Sequence, residues 1–265
     1  MTYDPKAFWS GRLEKDFSLS GVGYIGLGVP FNVALYAQRE RVLLRILKRE
    51  GIALRGATIV EYGPGTGFYT AIFAREGAAM VDGLDITDVS ARELAARFPQ
   101  FRFAQADITA PLAIEPGSAD IVAAFDVLFH VVDEDLFAAA LANAATALRP
   151  GGALLVSDLF LHVAPETTAA YYIPRTLARW EAALDAAGFD IVGRDPIFVT
   201  MHPPLDASGR TRRVLSALWD RVTRRLKKHP KDGRFIGAVL GLADRLLCRI
   251  VGDGPSTELL VARRR

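Results

Sequence analysis

The sequence predicts an α/β fold: a doubly wound, mainly parallel seven-stranded sheet with helices on both faces. Short β-branched and aliphatic runs alternate with longer helical patterns through the middle of the chain. Glycines or carboxylates follow several of these runs, as is typical of the carboxyl ends of parallel strands. Two further helical stretches lie outside the alternation, which predicts an N-terminal helical extension and a helical insertion before the last strand.

Seven short apolar runs bounded by turn residues are interpreted as strands. They are residues 57–62, 80–84, 101–104, 120–125, 153–159, 189–199 and 257–262. Helical patterns separate several of these strands. Gly188 follows the last helical pattern at the usual C-terminal glycine position. These helices are expected at residues 70–76, 89–98, 133–148 and 175–187. Strands and helices at this spacing form βαβ units.

Three regions follow from this pattern. Residues 1–56 form an N-terminal helical lid or extension, with a helix expected at 32–50. Residues 57–202 together with 255–265 form the core. Residues 203–254 form an insertion with two helices, expected near 210–228 and 235–251.

Composition excludes several classes of protein. The 265 residues are 51% hydrophobic and 23% charged, a globular balance. The net charge of +2 gives no signal for a nucleic-acid partner. Cys248 is the sole cysteine, which fits a reducing cytoplasm. No run approaches the roughly 20 apolar residues of a membrane span, and the N-terminus lacks the apolar core of a signal peptide.

A glycine-rich turn follows the first predicted strand. Gly63, Gly65 and Gly67 allow the backbone to turn sharply and to lie against a ligand. A phosphate-binding P-loop needs Lys and then Ser or Thr after the last glycine, whereas this chain has Phe68 followed by Tyr69. The dinucleotide motif places its third glycine one residue later. Glu61, just before the turn, favours a cationic ligand over a pyrophosphate.

Two more acids follow the next two predicted strands. Asp85 is suited to accept hydrogen bonds from both hydroxyls of a ribose, although the same spacing also fits NAD. Asp107 is suited to accept from an exocyclic adenine amine, and Ile86 and Ile108 could enclose the adenine ring. The conjunction of three acids after three successive strands favours a cationic nucleoside ligand.

Five stretches carry a resemblance to class I, Rossmann-like S-adenosylmethionine-dependent methyltransferases. They are VEYGPGTGFYT (60–70), GLDIT (83–87), ADIT (106–109), DIVAAFDVLFHV (120–131) and LRPGGALLVSD (148–158). The resemblance extends over about residues 57–200. It implies S-adenosylmethionine as cofactor, S-adenosylhomocysteine as product and a small-molecule substrate.

The resemblance also implies roles for individual residues. Glu61, Gly63, Gly65 and Gly67 would surround the methionine part of the cofactor. Asp85 would hold the ribose, Asp107 the adenine, and the backbone carbonyl of Phe125 the methionine ammonium. The N-terminal stretch FWSGRL…GVGYIGLG…FNVALYAQR resembles a bacterial subgroup of the family, in which Tyr24, Tyr36 and Arg39 would contact cofactor or substrate.

Three histidines follow predicted strands and are candidates for the reaction. Methyl transfer needs alignment and exclusion of water, and it needs a base only when the acceptor must lose a proton early. His130 is the first candidate base and His162 the second, with packing at the strand ends as the alternative for each. His202 is expected at the same rim. Tyr171 and Tyr172 are expected in a lid, where they contact substrate or pack.

The acceptor is predicted only as a class. No His and Asp have metal-ligand spacing, so no metal site is expected. The tetrapeptide after the fourth strand does not resemble the Asn-Pro-Pro-Tyr of base and glutamine amino-methylating enzymes. An oxygen of a secondary metabolite, sugar or lipophilic molecule is favoured over nitrogen or carbon. The alternative functions are those of an NAD-dependent oxidoreductase and of a non-catalytic, cofactor-binding partner subunit.

Several interpretations fit the predicted insertion at residues 203–254. Residues 210–228 carry apolar residues near helical spacing with Arg and Lys on the opposite face, and residues 235–251 are more apolar. This pattern indicates a helical hairpin that packs on the core, forms a homodimer contact or caps an apolar substrate. Peripheral attachment of residues 210–251 to a membrane is the remaining hypothesis.

Overall fold

The computed structural model describes residues 4–165 and 170–265. Its main sheet has seven strands in the order β3-β2-β1-β4-β5-β9-β8. These strands are β1 (Thr58–Tyr62), β2 (Met80–Asp85), β3 (Arg102–Gln105), β4 (Ala119–Phe125), β5 (Leu148–Asp158), β8 (Phe189–Pro196) and β9 (Glu258–Arg264). β1 to β5 run parallel, whereas β9 pairs antiparallel with both β5 and β8. The predicted fold class is therefore confirmed.

The helices pack on both faces of this sheet. They are α1 (Pro5–Lys15), α2 (Leu19–Val22), α3 (Val29–Arg49), α4 (Phe68–Glu76), α5 (Asp88–Arg97), α6 (Glu134–Ala147), α7 (Leu177–Ala186), α8 (Gly209–Lys228) and α9 (Gly233–Ile250). One apolar core joins one face of the sheet to α3, α4, α5 and α9, and a second joins the other face to α6 and α7. Alternate residues of β1 supply both cores, because successive strand side chains point to opposite faces.

Two strands differ from their predicted bounds by three or more residues at one end. β5 begins at Leu148, so the Pro-Gly-Gly segment belongs to the strand and not to a helix end. β8 ends at Pro196, although the apolar run continues to Val199. The run stops pairing because the backbone amides of Val199, Thr200 and Met201 donate instead to the buried carboxylate of Asp244 in α9.

Helix α1 was not predicted. Asp4 caps it by accepting from the amide of Ala7, and Pro5 occupies its first turn. A second feature absent from the prediction is a two-stranded parallel ladder of β6 (Phe160–Leu161) and β7 (Arg175–Thr176). It fastens the segment after β5 to the start of α7.

Both predicted insertion helices are present as α8 and α9 between β8 and β9. α9 packs closely along α3, where a Cβ on Gly233 or Gly237 would lie within 3 Å of α3 atoms. The division of the chain into three regions stays a prediction. Within residues 4–165 and 170–265, no helix has the length and apolar character needed to cross a bilayer.

Candidate active site

A cavity of about 330 Å³ opens at the carboxyl ends of β1, β2 and β4. Its floor comes from the glycine loop, the segment after β2 and the segment after β3. One side of its wall is the segment from Phe125 to Leu136, and the other is α1 with Val22 and Tyr36. Ligands of doubly wound sheets bind at this edge, so the cavity lies where the fold predicts a site.

The glycine loop has the backbone geometry that its sequence predicts. Gly63, Gly65 and Gly67 all have positive φ angles, 59°, 56° and 77°, which non-glycine residues rarely adopt. A Cβ at Gly63 would lie 2.6 Å from a methyl carbon of Val127. Gly63 and Gly65 line the cavity, whereas Gly67 turns the chain into α4 against Leu94.

Asp85 lies at the end of β2 and joins the floor to the loop. Its Oδ2 accepts from the backbone amide of Gly65 at 3.1 Å. Its Oδ1 accepts from the amide and the hydroxyl of Thr87 at 2.9 and 2.7 Å. The side chain lines the cavity, and each carboxylate oxygen can accept further hydrogen bonds. The predicted ribose acceptor is therefore held rigidly at the cavity.

The residues predicted to hold the adenine of the cofactor also lie at the cavity. Ile86, Asp107 and Ile108 all line it. Asp107 Oδ1 accepts from the amide and hydroxyl of Thr109, which fixes the carboxylate direction. Phe125 lines the adjoining wall, with its ring stacked on that of Tyr69 at 3.9 Å between centroids. Their cofactor contacts stay predictions.

Glu61 lies behind the cavity wall instead of in it. Its side chain is buried and accepts from the hydroxyl of Thr70 at 2.6 Å. Burial raises the pKa of Glu61 to about 8, with a smaller opposing effect of the Thr70 hydrogen bond. Nearby, Thr66 lines the cavity, and its buried hydroxyl has no hydrogen-bond partner among the described residues. Both groups suit a polar, cationic ligand.

His130 lies at the wall, in a short 3₁₀ turn after β4. Its Nδ1 is 2.8 Å from the backbone carbonyl oxygen of Tyr171. Because a carbonyl oxygen only accepts, Nδ1 must carry the hydrogen, which leaves a lone pair on Nε2 of the neutral ring. Burial lowers the pKa of His130 below its usual 6.5, against a smaller opposing effect of this hydrogen bond.

Helix α1 closes one side of the cavity; a lid or extension was expected over residues 1–56, but this helix was not predicted within it. Pro5, Trp9 and Leu13 recur every fourth residue, and all three line the cavity. The Trp9 ring meets the His130 ring edge to face, 4.9 Å between centroids. The spacing of four, after an Asp-Pro helix start, is the signal that could have identified this lid.

Asp126 is a second missed residue, directly after β4. It lines the cavity and has a φ of 58°, the only positive φ of a non-glycine residue among residues 4–165 and 170–265. Arg39 Nη1 lies 2.7 Å from its Oδ2, and the Ser157 hydroxyl donates to its Oδ1 at 3.0 Å. An acid after the fourth strand continues the pattern of the first three. Backbone strain held by such partners is typical of functional sites.

The candidate substrate residues of the N-terminal region separate into two groups. Tyr36 lines the cavity and packs on Phe68, 4.7 Å between ring centroids. Arg39 is not in the lining but supports Asp126 from behind. Tyr24 lies away from the cavity, where its backbone is fixed by Asn32 and its ring lies 5.5 Å from that of Trp219.

Two candidate histidines also lie outside the cavity lining. His162 is about half exposed, and its Nδ1 is 2.6 Å from Asp206 Oδ2. His202 stacks on Phe198 and bonds Ser256, and burial lowers its pKa to about 3. The structure therefore does not bring either histidine to the wall that His130 occupies. The chain bends at residues 199–202, and His202 packs between Phe198 and Ser256 instead of at the cavity.

Tyr171 and Tyr172 lie behind His130 and not in the cavity lining. Tyr171 stacks on Phe8 of α1 and supplies the carbonyl that fixes the His130 ring. Tyr172 meets Phe129 edge to face at 5.1 Å. Within residues 4–165 and 170–265, no three His, Cys, Asp or Glu side chains are grouped to hold a metal ion.

Comparison with known proteins agrees with this geometry. Residues 59–152 match the family model described as "Methyltransferase domain". A curated relative, the ubiquinone biosynthesis O-methyltransferase of Albidiferax ferrireducens, is 31% identical over 109 residues. That match covers 39% of this chain and 42% of the relative, so it spans less than half of either protein.

Solved structures show the same fold over nearly the whole chain. Magnesium protoporphyrin IX methyltransferase from Synechocystis PCC 6803, with bound S-adenosylmethionine, has a TM-score of 0.58 at 17% identity, covering 99% of this chain and 98% of that one. The Burkholderia thailandensis 1,6-didemethyltoxoflavin-N1-methyltransferase has a TM-score of 0.55 at 18% identity, covering 100% and 92%.

Fold, glycine loop and family match agree on one class. Residues 59–152 match a methyltransferase domain, and the whole chain has the fold of the class I, Rossmann-like S-adenosylmethionine-dependent methyltransferases. The family resemblance stated from the sequence is confirmed, and so is S-adenosylmethionine as the cofactor of the class.

Proposed function

We propose that this chain transfers a methyl group from S-adenosylmethionine to an oxygen of a small, largely apolar organic molecule. One observation carries the proposal. A single cavity joins the glycine loop and Asp85, suited to the cofactor, with His130, a neutral base that faces the same space. The relative named an O-methyltransferase supports oxygen as the acceptor atom.

The residues at one end of the cavity fit the cofactor. Asp85 offers acceptors for ribose hydroxyls, and Asp107 offers one for the adenine amine. The Thr66 hydroxyl, which has no hydrogen-bond partner among the residues that the structure describes, and the buried carboxyl of Glu61 suit the methionine end. When bound, S-adenosylmethionine supplies a methyl group on a sulfonium sulfur, an excellent leaving group. The chain therefore needs chiefly to align the acceptor and to exclude water.

His130 is the group that can take the acceptor's proton. The Tyr171 carbonyl holds the ring in the tautomer with a hydrogen on Nδ1, so Nε2 accepts the proton as the new carbon–oxygen bond forms. Burial keeps the imidazole neutral at pH 7, because it lowers the pKa of His130. When bound, S-adenosylmethionine would give up its methyl group while its sulfur retained the electron pair of the broken bond, so His130 needs to take up only the acceptor's proton.

The acceptor end of the cavity is mostly apolar. Trp9, Leu13, Val131, Val132 and Leu136 line it. Such walls favour aromatic or aliphatic molecules with one polar group over sugars or nucleotides. A phenol suits this wall, because its ring packs against apolar side chains while its hydroxyl loses a proton to His130. The lid α1 excludes water from the reacting atoms.

A direct test compares two histidine variants by transfer of a labelled methyl group to a panel of phenols and other hydroxyl acceptors. For His130→Ala we expect turnover to fall by roughly 10² to 10³, because the proton has no acceptor. S-Adenosylhomocysteine affinity should change by less than about threefold, because the predicted cofactor contacts remain. Turnover of the wild-type protein should fall at acid pH, below about 6.5, because His130 then gains a proton and can no longer act as the base.

His162→Ala is the matched control, because His162 lies outside the cavity lining and pairs with Asp206. It should retain wild-type turnover. Equal turnover of His130→Ala and the wild type would remove His130 as the base. Binding of S-adenosylhomocysteine without methylation of any acceptor would favour the alternative of a non-catalytic partner subunit.

A further inference from the structure

Helix α9 presents a row of apolar side chains to solvent. Phe235, Val239, Leu242, Leu246 and Ile250 are 75%, 51%, 60%, 60% and 79% exposed. They recur every three or four residues, so they form one continuous stripe along the helix. We call these five residues the α9 stripe.

The α9 stripe points away from the body of the protein. The opposite face of α9 is buried through Gly237, Leu240, Asp244 and Cys248. Gly237 packs against Ala34 of α3, and Asp244 fixes the turn after β8. Because the inner face is fully engaged, the stripe cannot turn inward to cover the substrate cavity.

Arginines border the stripe on one flank. Arg234, Arg245 and Arg249 are exposed, and each precedes a stripe residue by one position, which is about 100° of helix rotation in the same sense. The only acid of α9, Asp244, is buried. Residues 203–254 carry twelve Lys and Arg against five Asp, a net charge of +7, whereas the whole chain has +2.

The amphipathic helix expected from the sequence differs from the one that the structure exposes. The apolar positions of α8 are largely engaged, because Val222 and Leu226 are buried and Leu218 packs on the core. Only Val214 of that helix is a highly exposed apolar residue, at 60%. The exposed apolar surface of this segment therefore lies on α9.

We propose that the α9 stripe docks on the surface of an anionic lipid bilayer. An apolar helix face bordered by arginines buries its side chains at the acyl boundary while the guanidinium groups meet lipid phosphates. A second copy of the chain fits this face poorly, because two segments of net charge +7 repel each other. The binding does not depend on the proposed methyl transfer.

Co-sedimentation of the full chain with lipid vesicles tests this proposal. We expect binding to vesicles of phosphatidylglycerol and phosphatidylcholine, and much weaker binding to phosphatidylcholine alone. The double variant Leu242→Ser, Leu246→Ser should bind at least about tenfold more weakly, because two exposed apolar anchors are lost. Arg245→Gln with Arg249→Gln should weaken binding to the anionic vesicles only.

Val214→Ser is the matched control, an equally exposed valine outside the stripe, and it should bind vesicles like the wild type. S-Adenosylhomocysteine titration without vesicles shows that each variant is folded and tests the cofactor site separately. Three results would overturn the proposal: no vesicle binding by the wild type, equal binding by the leucine variant, or equal binding to both lipid compositions. A wild-type dimer that the leucine variant dissociates would assign the stripe to a second copy instead.

Discussion

The two ends of the cavity are built in different ways. The candidate cofactor end comes mainly from a short stretch of chain, residues 61–109, at or just after the carboxyl ends of β1, β2 and β3, with Phe125 at the end of β4. The acceptor end joins α1, the turn after β4 and Tyr171, which are far apart in sequence. The first end depends on backbone geometry that the fold dictates. The second depends on packing between distant segments, where members of a fold class differ most.

The largest loss of cofactor affinity should come from removing Asp85, which links the end of β2 to the glycine loop. Asp85→Ala deletes the predicted ribose acceptor and the carboxylate that holds the Gly65 amide. We expect S-adenosylhomocysteine affinity to fall about a hundredfold, since a buried charged acceptor with several partners is lost. Isothermal titration measures it. Asp88→Ala, an exposed acid paired with Arg92, is the matched control and should bind normally.

A second prediction concerns proton release at the cofactor end. Burial raises the pKa of Glu61 to about 8, so its carboxyl is mostly protonated at pH 7 before a ligand binds. A nearby ammonium favours the carboxylate and lowers this pKa. Binding should therefore release up to about one proton at pH 7, and affinity should rise between pH 6 and 7.5, at most about tenfold per unit.

Titration in buffers of different ionisation enthalpy measures this release. Glu61→Gln keeps a group that can bond the Thr70 hydroxyl but cannot ionise, so the proton release and the pH dependence should both disappear. No release by the wild type, or the same release by the variant, would show that Glu61 does not meet the cationic end of the ligand.

The sheet was predictable because its signals are local. Most strands are short apolar runs, and the glycines at 63, 65 and 67 permit the left-handed backbone that the structure has. The predicted end of β8 was wrong because a tertiary contact competes with strand pairing. Three amides after that strand bond Asp244, a residue more than forty positions later in the chain.

The acceptor end was predicted less well for the same reason. His130 was identified from its position after β4, and the structure places it at the cavity wall. Its orientation depends on the Tyr171 carbonyl, 41 positions away, and no sequence pattern shows that contact. His162 and His202 also follow strands, yet Asp206 and the packing on Phe198 hold them elsewhere. Position after a strand places a residue near the carboxyl edge of the sheet, but the residue's hydrogen-bond and packing partners come from distant parts of the chain.

A crystal structure of the chain with S-adenosylhomocysteine would test directly whether the cavity at the carboxyl ends of β1, β2 and β4 holds the cofactor. We expect the ribose at Asp85, the adenine between Ile86 and Ile108 near Asp107, and the sulfur facing the wall that holds His130. A nucleoside bound outside this cavity, or no binding at a concentration that saturates other members of the class, would contradict this expectation.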